Sequence, residues 1–144
     1  MESQAFHTRS EEETIALGRR LGAELPPGAV LLIGNLGAGK TTLAKGIVAG
    51  RSRTSVDEVS SPTFTLIHQY GEPCDSPIYH IDLYRLDEPR EVENLGLDDL
   101  FASGSLVLLE WAERFPALLP SQRTEIRLCA LPDDSREITI TPVG

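Results

Sequence analysis

The chain has 144 residues, 40% of them hydrophobic, and its 22 acidic and 13 basic side chains leave a net charge of −9. That length supports a core but not two domains, so residues 1–144 are expected to form one. A broadly negative surface repels nucleic-acid phosphates, and no leader-like start or membrane-length apolar stretch stands in the sequence, so the expectation is a cytoplasmic protein with no membrane and no autonomous nucleic-acid binding.

Ser10 followed by Glu13 has the form of a capping box, and Ile15, Leu17, Leu21 and Leu25 supply an apolar face behind it; a helix ending at Pro26 and Pro27 is predicted. The run 29–33 reads as a strand and 39–49 as a helix, with a glycine-rich turn between them. Residues 51–61 are polar and without period, an exposed loop in which Arg51 and Arg53, with Lys45, form either a small basic patch or an ordinary solvated face. Segments 64–70 and 78–84 are rich in β-branched and aromatic residues and are joined by a turn composition, predicting an antiparallel pair. Asp87, Glu88 and Pro89 then cap a short helix at 90–95 that stops at Gly96, and a second short helix covers 98–102.

The continuous apolar run 106–109, closed by Glu110, has the pattern of a strand buried on both faces. Segments 124–131 and 136–141 alternate around the turn 133–135 and form a closing hairpin. Cys74 and Cys129 form no C-x-x-C and have no histidines at zinc spacing, so both read as ordinary thiols. The elements together predict an α/β chain with a P-loop NTPase fold: a mostly parallel central sheet flanked by helices, with antiparallel hairpin additions.

Residues 34–42 read G-N-L-G-A-G-K-T-T and match the phosphate-loop pattern G-x-x-x-x-G-K-[ST] at every fixed position. A glycine-rich turn lets successive backbone N–H groups converge on an anion, and the helix that follows adds the positive end of its dipole. Asn35, Leu36, Gly37, Ala38 and Gly39 supply that backbone, Lys40 reaches the terminal phosphates, and Thr41 holds magnesium. The metal then needs an anionic partner at a strand end. Glu110 stands where a Walker B carboxylate stands, and Asp82 ends a neighbouring apolar stretch; the sequence leaves open which of them orients the attacking water. His80 reads as a strand residue packing against a neighbour. Trp111 reads either as core or as an aromatic surface beside the nucleotide or a partner. Guanine-reading N-K-x-D and switch D-x-x-G strings do not occur, so adenine is preferred and the expected cofactors are ATP and Mg²⁺.

In combination, the loop, S-P-T-F-T-L at 61–66, Y-H-I-D-L-Y-R-L at 79–86 and L-E-W at 109–111 resemble the bacterial TsaE family, formerly called YjeE, from about residue 11 to 136. The resemblance implies a small ATPase required for threonylcarbamoyl modification of the adenosine beside the tRNA anticodon. It implies phosphate and magnesium contacts at Lys40 and Thr41, a metal-site role for Glu110 and a part in hydrolysis for Asp82. Thr42 and Thr63 would lie close to the phosphates, and Glu11 and Ser135 would border the base. Such a protein does not transfer the group itself but acts on a complex of TsaB and TsaD. Turnover by the chain alone is expected to be slow and to rise with that complex present, because the sequence supplies no obvious arginine finger. Where the family usually has aspartate, this chain has Asn35, a change that leaves the backbone N–H groups in place. The rival reading is a small P-loop kinase acting on a small-molecule acceptor; it needs a lid with several phosphate-clamping arginines, and no such segment is visible after Glu110. Arg85 is the only motif-borne arginine available to assist hydrolysis in cis.

Overall fold

Apolar side chains at consecutive positions suit a strand covered on both sides, and the two segments with that pattern lie next to each other at the middle of the sheet. The computed structural model describes residues 3–35, 37–52, 59, 67–71 and 77–144. In chain order these form β1 (Gln4–Thr8), α1 (Glu11–Glu24), β2 (Gly28–Ile33), α2 (Lys40–Arg51), β3 (Ile67–Tyr70), β4 (Ile78–Asp82), α3 (Pro89–Glu93), α4 (Leu97–Phe101), β5 (Leu106–Glu110), β6 (Arg123–Ala130) and β7 (Arg136–Val143). One seven-stranded sheet runs in the order β1-β7-β6-β2-β5-β4-β3.

Strands β6, β2, β5 and β4 are parallel to one another. The outer pairings β1 with β7, β7 with β6, and β3 with β4 are antiparallel. The expectation of a mostly parallel sheet is therefore corrected: it holds for the centre only, since three of the six pairings are antiparallel and the longest ladder, β6 with β7, is one of them. For two of the three the cause lies in short connections, because a tight turn can join only antiparallel neighbours whereas a parallel pair needs a crossover; the third, β1 with β7, brings together strands from opposite ends of the chain. The sheet remains α/β in character, with α1 and α2 over one face and α3 and α4 over the other.

Alternation along β2 divides the core. Val30 and Leu32 face Leu17, Leu21, Leu43, Ile47 and Val48 of the first two helices. Ala29, Leu31 and Ile33 join Val92, Leu97 and Phe115 beneath the opposite layer. Each such fully buried aliphatic side chain contributes roughly 1.5–3 kcal/mol.

Helix α1 begins as expected: the Ser10 hydroxyl accepts from the Glu13 N–H at 3.1 Å, although the Glu13 carboxylate reaches back to the N–H of Arg9 rather than to that of the cap. It packs on α2 through glycines. A Cβ on Gly18 would lie 2.6 Å from the Leu43 carbonyl oxygen and 2.8 Å from Gly46 Cα, so the two backbones are in direct contact. Arg51 is no open basic patch, for its guanidinium donates to the carbonyls of Gly22 and Leu25 and closes the C-terminal end of α1; burial lowers its pKa. Arg53 lies outside the described residues, as do 64–66 of the expected strand, of which 67–70 form β3.

Helix α3 takes Glu88 rather than Asp87 as its N-cap, with Glu91 accepting from the Glu88 N–H. Strand β1 is an element the sequence reading did not contain. Three-residue 3-10 turns at Ala112–Arg114 and Pro116–Leu118 follow β5. Cys129 is exposed with a free thiol, and Cys74 lies outside the described residues. Among the described residues no helix is long and apolar enough to cross a membrane.

Candidate functional site

Every strand of the parallel core ends on the same side, and the turn after β2 leads straight into α2. Gly37 and Gly39 adopt positive φ values of 81° and 101°, a conformation that costs a side-chain-bearing residue about 1–2 kcal/mol. The Ala38 N–H donates to the Asn35 carbonyl at 3.0 Å, which turns the chain back toward the sheet. Helix α2 then starts with Gly39 as N-cap and with no side chain bonded to its first N–H groups. Its first turn carries no acidic residue either. Helix α1, with Ser10 as cap and Glu11, Glu12 and Glu13 in its first turn, is the opposite case. The start of α2 is thus left open to an anion from outside.

A cavity of about 480 Å³ lies over this helix end, lined by Ser10, Glu11, Thr14, Gly37, Gly39, Lys40, Thr41, Thr42, Asp82, Tyr84, Glu110, Trp111, Asp134 and Arg136. Asp82 and Glu110 are register partners at the ends of the adjacent parallel strands β4 and β5, so their side chains emerge on one face. Both are buried, at 4% and 3% exposure. The Tyr84 N–H donates to Asp82 Oδ1 at 2.9 Å, and His80 Nε2 bonds Glu110 Oε2 at 2.6 Å. The Arg114 guanidinium donates to the Tyr84 carbonyl at 2.8 Å, tying the chain after β4 to the turn after β5.

Lys40 is buried, and its Nζ has no hydrogen-bond partner among the described residues. The ammonium sits 3.6 Å from the centroid of the Trp111 ring, which in turn packs against Tyr84 at 5.1 Å between centroids. Trp111 reaches that position through a left-handed backbone, φ 65°, which turns the chain off the line of β5 immediately after Glu110. Burial lowers the Lys40 pKa, against the attraction of Glu110, Glu113 and Asp82, which raise it.

Arg136 closes the other wall. Its guanidinium donates to the Asp134 and Ser135 carbonyls at 2.9 and 3.2 Å and to the Gly37 carbonyl at 3.3 Å, joining the β6–β7 turn to the glycine-rich turn. Ser135 itself points away from the cavity: its hydroxyl bonds His7 Nε2 at 2.8 Å and the Asp133 carboxylate. Hydrogen bonds from Ser135 hold the Asp133 carboxyl below the usual carboxylate range.

Of the residues singled out in the sequence, Glu11, Gly37, Gly39, Lys40, Thr41, Thr42, Asp82 and Glu110 come together around one cavity. Asn35 is exposed in the turn and Ala38 is buried in the core beneath it, neither on the cavity wall. Leu36 and Thr63 lie outside the described residues. Arg85 is exposed and does not line the cavity; Arg136 does, and nothing in the sequence marked it. His80 had a readable signal, since a strand places 80 on the same face as 82.

Chemically, the arrangement can hold an anion at a helix N-terminus beside a desolvated cation. It also offers two carboxylates and a threonine hydroxyl on one side. No cluster of three His, Cys, Asp or Glu side chains suited to a metal occurs among the described residues. Thr41, Asp82 and Glu110 supply oxygen-bearing side chains to the cavity wall.

The family model described as threonylcarbamoyl adenosine biosynthesis protein TsaE matches residues 8–138. The tRNA threonylcarbamoyladenosine biosynthesis protein TsaE of Bacillus subtilis is 42% identical to the chain, over 100% of this chain and 89% of its own length. The protein of the same description from a Nostoc species is 44% identical, over 92% and 82%. A crystal structure of Bacillus subtilis YdiB superposes with a TM-score of 0.79 at 35% identity, covering 99% of this chain and 87% of that one.

Proposed function

The chain belongs to the TsaE family, whose members are named for tRNA threonylcarbamoyladenosine biosynthesis, and on that premise we propose that it is a single-domain P-loop ATPase of that pathway. It binds ATP with magnesium and hydrolyses it in support of a TsaB/TsaD-type complex, in the cytoplasm, without transferring the threonylcarbamoyl group itself. The partner assignment rests on the family resemblance. The nucleotide assignment rests on the cavity.

The observation that carries it is Lys40: a buried ammonium without a hydrogen-bond partner among the described residues, at an uncapped helix start in a glycine turn. A buried donor left unsatisfied costs roughly 1–3 kcal/mol, and phosphate oxygens are the acceptors that this loop is shaped to receive. In this reading the N–H groups of the turn and of the first turn of α2 surround the phosphates while Lys40 leaves the Trp111 face for the terminal ones. Arg136 holds the turn in shape through the Gly37 carbonyl.

The donor set fits magnesium. Four carboxylates on the cavity wall, those of Glu11, Asp82, Glu110 and Asp134, outnumber the two cations Lys40 and Arg136, so a triphosphate entering alone meets net repulsion. Thr41 and Glu110 would hold the ion, which when bound draws charge from the phosphate oxygens. Asp82, steadied by the Tyr84 N–H, is the remaining buried carboxylate on the cavity wall, and in this reading it orients the attacking water. Arg136 is the arginine of the cavity wall that nears the loop, and it is engaged with three carbonyls, consistent with slow turnover in the absence of partners.

The test is Lys40→Met. Wild-type protein should show Mg²⁺-dependent ATP hydrolysis and a rise in melting temperature with ATP; the variant should lose the thermal shift and at least roughly 100-fold in turnover. Wild-type rates in Lys40→Met would sink the assignment.

A further inference from the structure

One buried polar group in the site is left without a role by the proposal above. His80 is 0% exposed and shares its sheet face with Ile78, Leu106 and Leu108, where an aliphatic side chain would pack without desolvating a ring. Its Nδ1 has no partner among the described residues, and its single strong interaction is the 2.6 Å bond from Nε2 to Glu110 Oε2. An ionised carboxylate only accepts, so the shared hydrogen belongs to Nε2.

The two residues sit on adjacent strands, two positions out of register and so on the same face, with His80 paired to Leu108 and Asp82 to Glu110. The backbone thus carries the imidazole to the carboxylate from the side away from the strand ends. With Oε2 engaged, Oε1 is the oxygen left for a ligand, and the carboxylate plane is fixed before any ligand arrives. Without the imidazole a buried glutamate side chain has several rotamers open to it and must be ordered on binding.

We infer that His80 is a positioning residue that holds Glu110 in the orientation in which it meets a divalent cation. This rests on the reading of Glu110 as a metal ligand. Partners of this kind behind a ligating side chain typically alter metal affinity by about 10–100-fold.

The experiment measures binding of Mn²⁺, followed by the electron paramagnetic resonance signal of the free ion, to protein saturated with a non-hydrolysable ATP analogue. His80→Met removes the donor at similar volume and should weaken Mn²⁺ binding by about 10–100-fold while metal-free affinity for the analogue is unchanged. His80→Gln places an amide donor near the position of Nε2 and should recover most of the loss. Should His80→Met fail to fold, His80→Asn, whose amide is too short to reach Glu110, takes its place. Wild-type Mn²⁺ affinity in the donor-less variant, or equal loss in His80→Gln, overturns the inference. Glu110→Gln separates the two levels: if it binds Mn²⁺ normally, the metal-ligand reading itself fails, whereas loss there with none in His80→Met removes only the role of His80.

Discussion

At the scale of single residues the site is built around groups that cost stability in the absence of a ligand. Lys40 is the clearest. Its pKa is lowered in the folded chain by burial, so on raising the pH the folded state releases this proton before the unfolded state does. Over that alkaline interval the unfolded chain binds more protons, and stability rises with pH. The nucleotide-free protein is therefore expected to gain stability as the pH climbs toward the ordinary lysine value of 10.5, and Lys40→Met should abolish that gain. At neutral pH the same variant should melt within a few degrees of wild type, since removing a buried unpaired polar group recovers about 1–3 kcal/mol while the cation–π contact with Trp111, worth about 2 kcal/mol when desolvated, and the attraction of Glu110, Glu113 and Asp82 are lost. Calorimetry at pH 7 and pH 10 checks both. Lys40, Thr41, Asp82 and Glu110 were readable because each stands at a fixed offset from a local pattern, a glycine-rich turn or an apolar run. The face of His80 was readable too, but its bond to Glu110 and the contact of Arg136 with Gly37 were not, for they join residues 30 and 99 positions apart and leave no period in the chain.

At the scale of elements, the position of α2 decides where its uncapped start and Lys40 lie in the cavity, and α2 is held by backbone contact with α1. A methyl group on Gly46 would run into the Ile15 carbonyl and lie 2.9 Å from Gly18 Cα, atoms that belong to main chain and cannot rotate aside. Gly46→Ala gains roughly 1 kcal/mol of helix propensity, but overpacking against a fixed neighbour costs about 1–3 kcal/mol, so the net effect is destabilising. Because Lys40 is the first residue of α2, the same displacement should weaken nucleotide binding; chemical denaturation and isothermal titration on one preparation measure the two together. The unit from β2 through α2 could be read from sequence since its apolar run, turn glycines and helix lie consecutively. The proportion of antiparallel pairing could not, because an edge strand is chosen by its neighbours: β1 reads Gln-Ala-Phe-His-Thr, mostly exposed, with too short an alternation to separate it from a loop. The short helix at 97–101 was placed one residue late for a similar reason, as Gly96 with φ 70° both ends one turn and opens the next.

At the scale of the whole molecule, residues from near both ends of the chain meet at one wall of the cavity, and β1 is what joins them. Phe6 packs on the core with Arg20 over its ring at 5.5 Å. His7 bonds Ser135 in the β6–β7 turn, and the Thr8 hydroxyl bonds Thr14 of α1 at 2.7 Å. Thr14 lines the cavity directly, and Ser135 lies between Asp134 and Arg136, which also line it. Deleting residues 2–8 should therefore do more than unpair the edge of β7. The lost partial burial of Phe6 and the buried threonine pair together amount to about 2 kcal/mol, or roughly 6 °C in melting temperature for a chain of this size. The turn that carries Arg136 would at the same time lose its tether to His7, loosening the guanidinium contact with Gly37. Nucleotide affinity should fall as a result, although none of the described residues among 3–8 lines the cavity. Titration of the truncated protein with an ATP analogue, beside a Phe6→Ala variant that weakens the strand but keeps His7 and Thr8, distinguishes the two effects. If affinity falls only in proportion to the folded fraction, β1 serves stability alone; a greater loss in the truncated protein identifies the edge strand as part of what shapes the cavity.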